Sequence, residues 1–505
     1  MDISVEGPSS ILKLETLYNT GHNKNAHSSQ VTTSQKFVLQ PAKRSCLETK
    51  QLTHTVIYSQ SSRYQKDLLN KVVPIRFSYG KENSDDVNAQ KSDGNSVALS
   101  AQSNSEIDRV RAATELALHT FGDVDTPLVV MDLKNVLTQF ERWKRCLPNI
   151  QPYYAVKCNP DPVLVAYLQS LGCDFDCATQ AEMDLVVNQL GHNPERIVFS
   201  NPCKLESHIR FAKSVGVRTT IIDNPDEVLK IKANFPDAQV LIRLACADST
   251  ARSPMSLKFG ATRDQVQPLL ELAAEHGVQV VGVHFHVGSG CCDPSSYRKA
   301  LLDARRAFDL GSELGHRMHI LDLGGGYPGL DLSDGSCKTN NGVEFEEMAA
   351  VINSVTEQLF PNEDGQYRII AEPGRFFGQS AQAMVNKVMG KSVVGRDEQG
   401  RKLIRYYMTE GLYGTLSCII FDQQDSLRPL MLRERACEGL CPVGTMFGPT
   451  CDGFDKIGQV TDLPELSVGD RLVYLQFGAY TSSITTHFNG FEGATFFYYN
   501  SGSLE

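Results

Sequence analysis

Tryptophan occurs once in the 505 residues, and positive charge is in deficit: 49 Lys and Arg against 59 Asp and Glu give a formal net charge of -10. That balance leaves no basic field to attract nucleic acid or an anionic membrane surface. No apolar run approaches the roughly 20 residues a bilayer-spanning helix needs. Near the start, Asp2, Glu6 and Glu15 interrupt a stretch without a long apolar core, which argues against secretory and transit signals and makes the cytoplasm the expected location. The 14 cysteines are scattered. The Cys173/Cys177 and Cys437/Cys441 pairs have no His or second Cys pair at zinc-like spacing, so no metal site is expected and nearly all thiols read as reduced packing residues. These exclusions leave a soluble protein with a small-molecule ligand.

Residues 1–105 are rich in His, Asn, Ser and Gln, with tracts too polar to offset the entropy of ordering them, and are expected to form a mostly disordered arm. Helical spacing of Ile107, Val110, Ala113 and Leu116 begins the ordered part, and 126–132 reads as a strand; together 106–150 lead into a repetitive region. Over 151–378 one unit recurs, a short β-branched or aromatic strand, a turn and an amphipathic helix. Strands are expected at 153–158, 175–178, 197–200, 219–223, 240–244, 280–287, 320–325 and 368–373. Eight such units predict an α/β fold, a (β/α)8 barrel, with a doubly wound open sheet as the alternative. From 379 to 505 strands dominate, including 381–389, 403–408, 418–421 and 471–477. They predict a C-terminal β domain that also takes in the 126–132 strand.

Barrel enzymes place their chemistry at the C-terminal ends of the strands. Here those ends carry Lys157, Asp176, Arg243, His286 followed by Gly288-Ser289-Gly290, Gly324-Gly325-Gly326, and Glu372-Pro-Gly374-Arg375. An isolated glycine triplet is most often a tight turn. After the seventh strand, with Gly374 and Arg375 after the eighth, it suits a phosphate. A lone strand histidine is usually a core residue, but His286 beside open backbone and a hydroxyl suits stacking on a planar ligand. Glu372, otherwise a barrel-end ion pair, then lies where it can bind the ring nitrogen of pyridoxal phosphate, and Lys157 carries the cofactor. Asp176 is placed to organise that lysine, and Glu182, on the following helix, is a weaker candidate. Two turns in the β region remain: Gly448–Gly453, with Cys451 beside Asp452, and the one bearing Tyr480.

The motifs YYAVKCN, FDCA, NPCK, HVGSG, LDLGGGYPG, IIAEPGRFF, GLYGTLSCIIFD, GPTCDG, GAYT and FNGF stand in the order in which the chain resembles the ornithine decarboxylase family, within the alanine racemase-like group of pyridoxal phosphate enzymes. The resemblance spans about residues 126–495. It implies decarboxylation of ornithine to putrescine by a homodimer whose two active sites are each completed by the partner chain. Carried onto this chain, it makes Lys157 the cofactor lysine, stacks His286 on the ring and sets Glu372 on its nitrogen. Ser289, Gly325, Gly326, Arg375 and Tyr480 hold the phosphate. Asp422 and Asp452 bind the distal amine of a basic amino acid, and Cys451 returns a proton to the substrate carbon. Phe421 and Gln423 replace the family's usual Tyr and His on either side of Asp422, which brings lysine in as a second substrate. The resemblance also admits an antizyme-like regulatory partner and, as the contrasting outcome, a non-catalytic relative of the antizyme-inhibitor kind.

Overall fold

The eighth parallel strand returns to pair with the first and closes a barrel. The computed structural model describes residues 105–246, 251–329, 344–362, 365–422, 427–437 and 439–501, and before them only the backbone of Leu12–Leu14, Leu39–Pro41, Leu52–Ile57 and Val72–Phe77. The rest of the arm expected to be disordered lies outside the described residues. The barrel strands are Gln151–Ala155, Asp174–Cys177, Ile197–Phe199, Thr219–Ile222, Gln239–Leu244, Gln279–Phe285, Ile320–Asp322 and Arg368–Ala371. Each pairs in parallel with its neighbours. Tyr153, Val198, Ile221, Leu241, Val281, Ile320 and Ile370 form one buried layer inside it. Bulky side chains from successive strands thus fill the interior, so the open space lies at the barrel's end.

Local chemistry starts and stops the outer helices where the sequence pattern requires. Asp161 and Asn224 cap Pro162–Leu171 and Pro225–Asn234 through their side-chain oxygens, and Thr262 with Gln265 forms a capping box on Arg263–Glu275. Gly172, at φ 97°, ends the first of these in the left-handed region. Leu133–Cys146 carries the single tryptophan. Trp143 is fully buried, donates from Nε1 to Ile150 O at 2.9 Å, and packs against Tyr327, Phe345 and Phe376 with ring centroids 4.9, 5.6 and 5.3 Å away. Tyr327 follows the glycine triplet and Phe376 follows Arg375, so this aromatic cluster packs together the loops after the seventh and eighth strands.

The second sheet has eight strands built around the long Gln382–Arg396. Its first half pairs antiparallel with Leu128–Asp132 and Arg471–Tyr474, and its second half with Lys402–Met408. Leu128–Asp132 joins this sheet as expected, and Thr495–Tyr499 lies parallel beside it. Cys418–Phe421 is corrected from strand to a short helix. The buried Glu410 carboxylate accepts from Gly411 N–H and the Thr415 hydroxyl, both at 2.9 Å, and winds the chain before the apolar run begins. Among the thiols, Cys437 and Cys441 form a disulfide with Cα atoms 5.5 Å apart. Among the described residues no helix is long and apolar enough to cross a membrane.

Candidate active site

The first strand ends at Ala155, and a single helical turn, Val156–Cys158, carries Lys157 into a pocket at the C-terminal end of the barrel. Its ammonium pairs with Asp176, at the end of the second strand, and the other oxygen of Asp176 accepts from the Ser200 hydroxyl. Burial pulls the Lys157 amine down, but the carboxylates of Asp176 and Glu372 outweigh it and hold the amine well above its ordinary value.

Opposite the lysine, the three glycines wrap the end of the seventh strand. Gly324 and Gly326 have φ of 56° and 117°, and a Cβ on Gly324 would lie 2.0 Å from Phe285 O. Gly325 is needed for space: its Cβ would stand 2.7 Å from His286 Nε2. His286 Nδ1 accepts from Gly288 N–H at 2.9 Å, which puts the ring's proton on Nε2, and burial holds the imidazole neutral. Arg375 Nη2 reaches Ser289 Oγ at 3.2 Å and the Asp422 carboxylate at 2.7 and 2.9 Å, and its guanidinium lies 5.2 Å over the Tyr480 ring. Tyr480 itself has φ 53°, and its backbone N–H bonds Cys158 O at 3.0 Å.

Glu372 is buried at the base of the pocket. His284 Nε2 lies 3.1 Å from its Oε2, while Oε1 has no hydrogen-bond partner. Burial, and then Glu372, raises the Asp322 carboxyl well above its usual range. Burial also raises Glu372, against Lys157 and Arg243. Glu182 is pushed up to about 7 by burial and accepts from Ala178 N–H at 2.7 Å.

Of the residues expected from sequence, Lys157, His286, Ser289, Gly325, Gly326, Glu372, Gly374, Arg375 and Tyr480 line one pocket. Asp176, Asp422 and Gly324 touch it through Lys157, Arg375 and the Glu372 N–H. Arg243 stands behind, its guanidinium 5.1 Å over the Phe259 ring. Phe421, Cys451 and Asp452 are not on the pocket wall, and Gln423 lies outside the described residues. Phe421 and Cys451 are exposed. The Cys451 turn is a built feature nonetheless: the Asp455 carboxylate accepts from Leu412 N–H at 2.7 Å and from the Thr450 hydroxyl at 2.7 Å, and Asp452 accepts from the Tyr413 hydroxyl. Sequence reasoning missed Ser200, Asp322 and His284. The signal for His284 was its position two residues before His286, hence on the same face of the strand.

The unpartnered buried oxygen of Glu372, the cradle that a Cβ on Gly325 would fill and the arginine at its rim fit a phosphorylated, nitrogen-containing ring, and Lys157 fits its carbonyl. The fold and site therefore define a barrel enzyme class that uses pyridoxal phosphate. Residues 133–379 match the family model for the pyridoxal-dependent decarboxylase, pyridoxal binding domain. The chain is 39% identical over 383 residues to ornithine decarboxylase of Rattus norvegicus, covering 74% of this chain and 81% of that protein. It is also 39% identical to antizyme inhibitor 2 of Xenopus laevis, covering 72% and 78%. Among solved structures, Paramecium bursaria Chlorella virus arginine decarboxylase bound to agmatine superposes with TM-score 0.70 at 33% identity over 77% of this chain and all of that one. Lysine/ornithine decarboxylase of Vibrio vulnificus with putrescine gives 0.67 at 31%, over 80% and 99%. The chain belongs to the family of pyridoxal-dependent decarboxylases that includes ornithine decarboxylase.

Proposed function

We propose that this chain decarboxylates a basic amino acid, ornithine first and lysine second, as a homodimer with shared active sites. One observation carries the reading: Lys157 paired to Asp176 faces Glu372 and the Gly325–Arg375 cradle across a single pocket. Bound pyridoxal phosphate supplies the electron sink for the pair left on Cα when carbon dioxide departs. The chain's own residues do the rest. Gly325, Gly326, Ser289, Arg375 and Tyr480 bind the phosphate, His286 presents a flat uncharged ring, and Glu372 meets the ring nitrogen. Asp176 holds the Lys157 nitrogen in position to carry the cofactor.

Asp422, which Arg375 holds and Arg252 approaches at 3.8 Å, is the carboxylate that meets the substrate's distal ammonium, and its negative charge favours a diamino acid over an apolar side chain. Cys451 and Asp452 act on the other subunit's pocket. Their turn lies on a face bearing Phe454 at 68% exposure and Phe488 at 45%, with the Phe488 ring tilted against Tyr413 at a centroid distance of 4.6 Å. An apolar patch of this kind around polar groups suits a subunit interface. There Asp452 of the partner subunit joins Asp422 at the distal amine, and the Cys451 thiol gives its proton to the substrate carbon.

The likeness to an antizyme inhibitor favours a second, non-catalytic reading, against which stand Lys157, Asp176 and Glu372 in one connected site. Carbon dioxide release and product analysis on ornithine, lysine, arginine and diaminopimelate test both. No release from any substrate by cofactor-loaded protein refutes catalysis, and a larger kcat/KM for lysine than for ornithine refutes the order of substrates.

A further inference from the structure

His284 and Asp322, on the sixth and seventh barrel strands, and Glu372, directly after the eighth, bring one nitrogen and two carboxyl groups within 4.8 Å of one another. His284 and Asp322 are register partners across adjacent parallel strands. All three side chains are buried. Two carboxyls this close and this dry do not both ionise, so one of the two keeps its proton. Gly324 N–H, at 2.9 Å, already satisfies Asp322 Oδ1, and Oδ2 has no donor, which makes Asp322 the holder of that proton. Glu372 is the ionised member because the positive charges of Lys157 and Arg243 bear on it. A divalent cation would suit the same three donors, but it would have to sit within the field of those two cations.

We propose that His284 is a positioning residue for Glu372: its neutral imidazole donates from Nε2 to Glu372 Oε2, fixing the ionised carboxylate and leaving Oε1 for the cofactor's ring nitrogen. Nε2 must carry the hydrogen, because a lone pair there would face a carboxylate oxygen at 3.1 Å. Nδ1 is without a partner and needs no proton. The charges bearing on the ring are Arg243 and Lys157, which oppose an imidazolium, and Asp176, Asp223 and the adjacent Glu372 carboxylate, which favour one. Burial adds to the first pair and keeps the ring neutral.

This inference rests on Glu372 being the partner of the ring nitrogen, and the experiment separates the two. Holoenzyme is loaded with pyridoxal phosphate carrying a nitrogen-15 ring, and the ring-nitrogen shift is read for the unaltered protein, His284→Met, His284→Gln and Glu372→Gln. The unaltered protein should show a protonated ring nitrogen. H284M, which has no donor, should move the shift toward the unprotonated value and lower kcat roughly ten- to a hundred-fold with little change in KM, the effect of losing a hydrogen bond to a buried charge. H284Q, which keeps an N–H, should restore most of both. A shift that moves in E372Q but not in H284M overturns the role of His284 alone. A shift that moves in neither overturns the reading of Glu372 with it. Should H284M fail to fold, nitrogen-15 histidine spectra of the unaltered holoenzyme decide: a neutral ring protonated at Nε2 supports the proposal, and an Nδ1–H tautomer or an imidazolium overturns it.

Discussion

Gly325→Ala tests the pocket geometry with one methyl group. Gly325 lies outside the left-handed region, so alanine costs it no backbone strain, in contrast to Gly324 and Gly326 on either side. The new Cβ would meet His286 Nε2 at 2.7 Å, closer than carbon tolerates, and Glu372 O at 3.0 Å, a tight contact. The backbone oxygen is held by the barrel, whereas the imidazole borders open space, so the ring yields. Overpacking of this kind costs roughly 1–3 kcal/mol, and since it falls on the seat of the cofactor ring it should weaken pyridoxal phosphate binding by about five- to 150-fold. Titration of the cofactor-free protein, followed by absorbance, measures the dissociation constant, and a thermal melt of the same sample should show little change. The penalty should largely vanish in a His286→Ala background, where the methyl has room, and the double-mutant cycle reports the coupling. Cofactor affinity in G325A equal to that of the unaltered protein would refute the packing of His286 against the glycine.

Asp176→Asn removes the first carboxylate that holds the Lys157 amine above its usual value, so the amine should react with added cofactor at lower pH than in the unaltered protein; the pH dependence of the rate of cofactor addition checks this. Glu182 is raised to about 7 from 4.5, so the folded state favours its protonated form, and stability should fall as pH rises from about 4.5 through 7. Glu182→Gln should therefore match the unaltered protein in denaturant midpoint at acid pH and exceed it at pH about 8, by up to roughly 3 kcal/mol; an equal deficit at both would contradict the burial argument. Trp143→Phe loses the Nε1–H bond to Ile150 O and leaves that carbonyl unpaired, for an expected loss of roughly 1–3 kcal/mol in chemical denaturation.

How much of the fold and site was legible beforehand depends on direction along or across the strands. Alternation of apolar strands with helical spacing is a property along the chain, and it showed eight units, with Lys157, Asp176, His286 and Glu372 at or just past the strand ends, although several strands stop two or three residues earlier than expected. Closure is a property across the chain: the eighth strand meets the first through Ile370 with Gln151 and Ala371 with Pro152, and nothing in either segment alone announces that pairing. The same distinction explains His284 and Asp322. Each sits within an apolar run and reads as interior, and their meaning comes only from register, which lays one beside the other and both against Glu372. Cys418–Phe421 misled for a related reason. Four apolar residues carry no period long enough to separate strand from helix, and the choice is made outside the run by Glu410, whose buried carboxylate gathers Gly411 and Thr415 before it. Cys451 and Asp452 mark the remaining step. Their turn is fixed by Asp455 from within the chain, yet neither residue lines the pocket that the chain itself builds. In the proposed dimer, a site shared across a two-fold axis separates positions that the motif order places in one reaction. That separation makes mixed dimers informative. Lys157→Ala and Cys451→Ala subunits, each inactive alone, should on mixing regain about a quarter of the unaltered activity, because random pairing gives half heterodimers and each heterodimer has one pocket with both residues intact. Activity that stays at the level of the separate variants, once subunit exchange is demonstrated, would place Cys451 in its own chain's chemistry and refute the shared site.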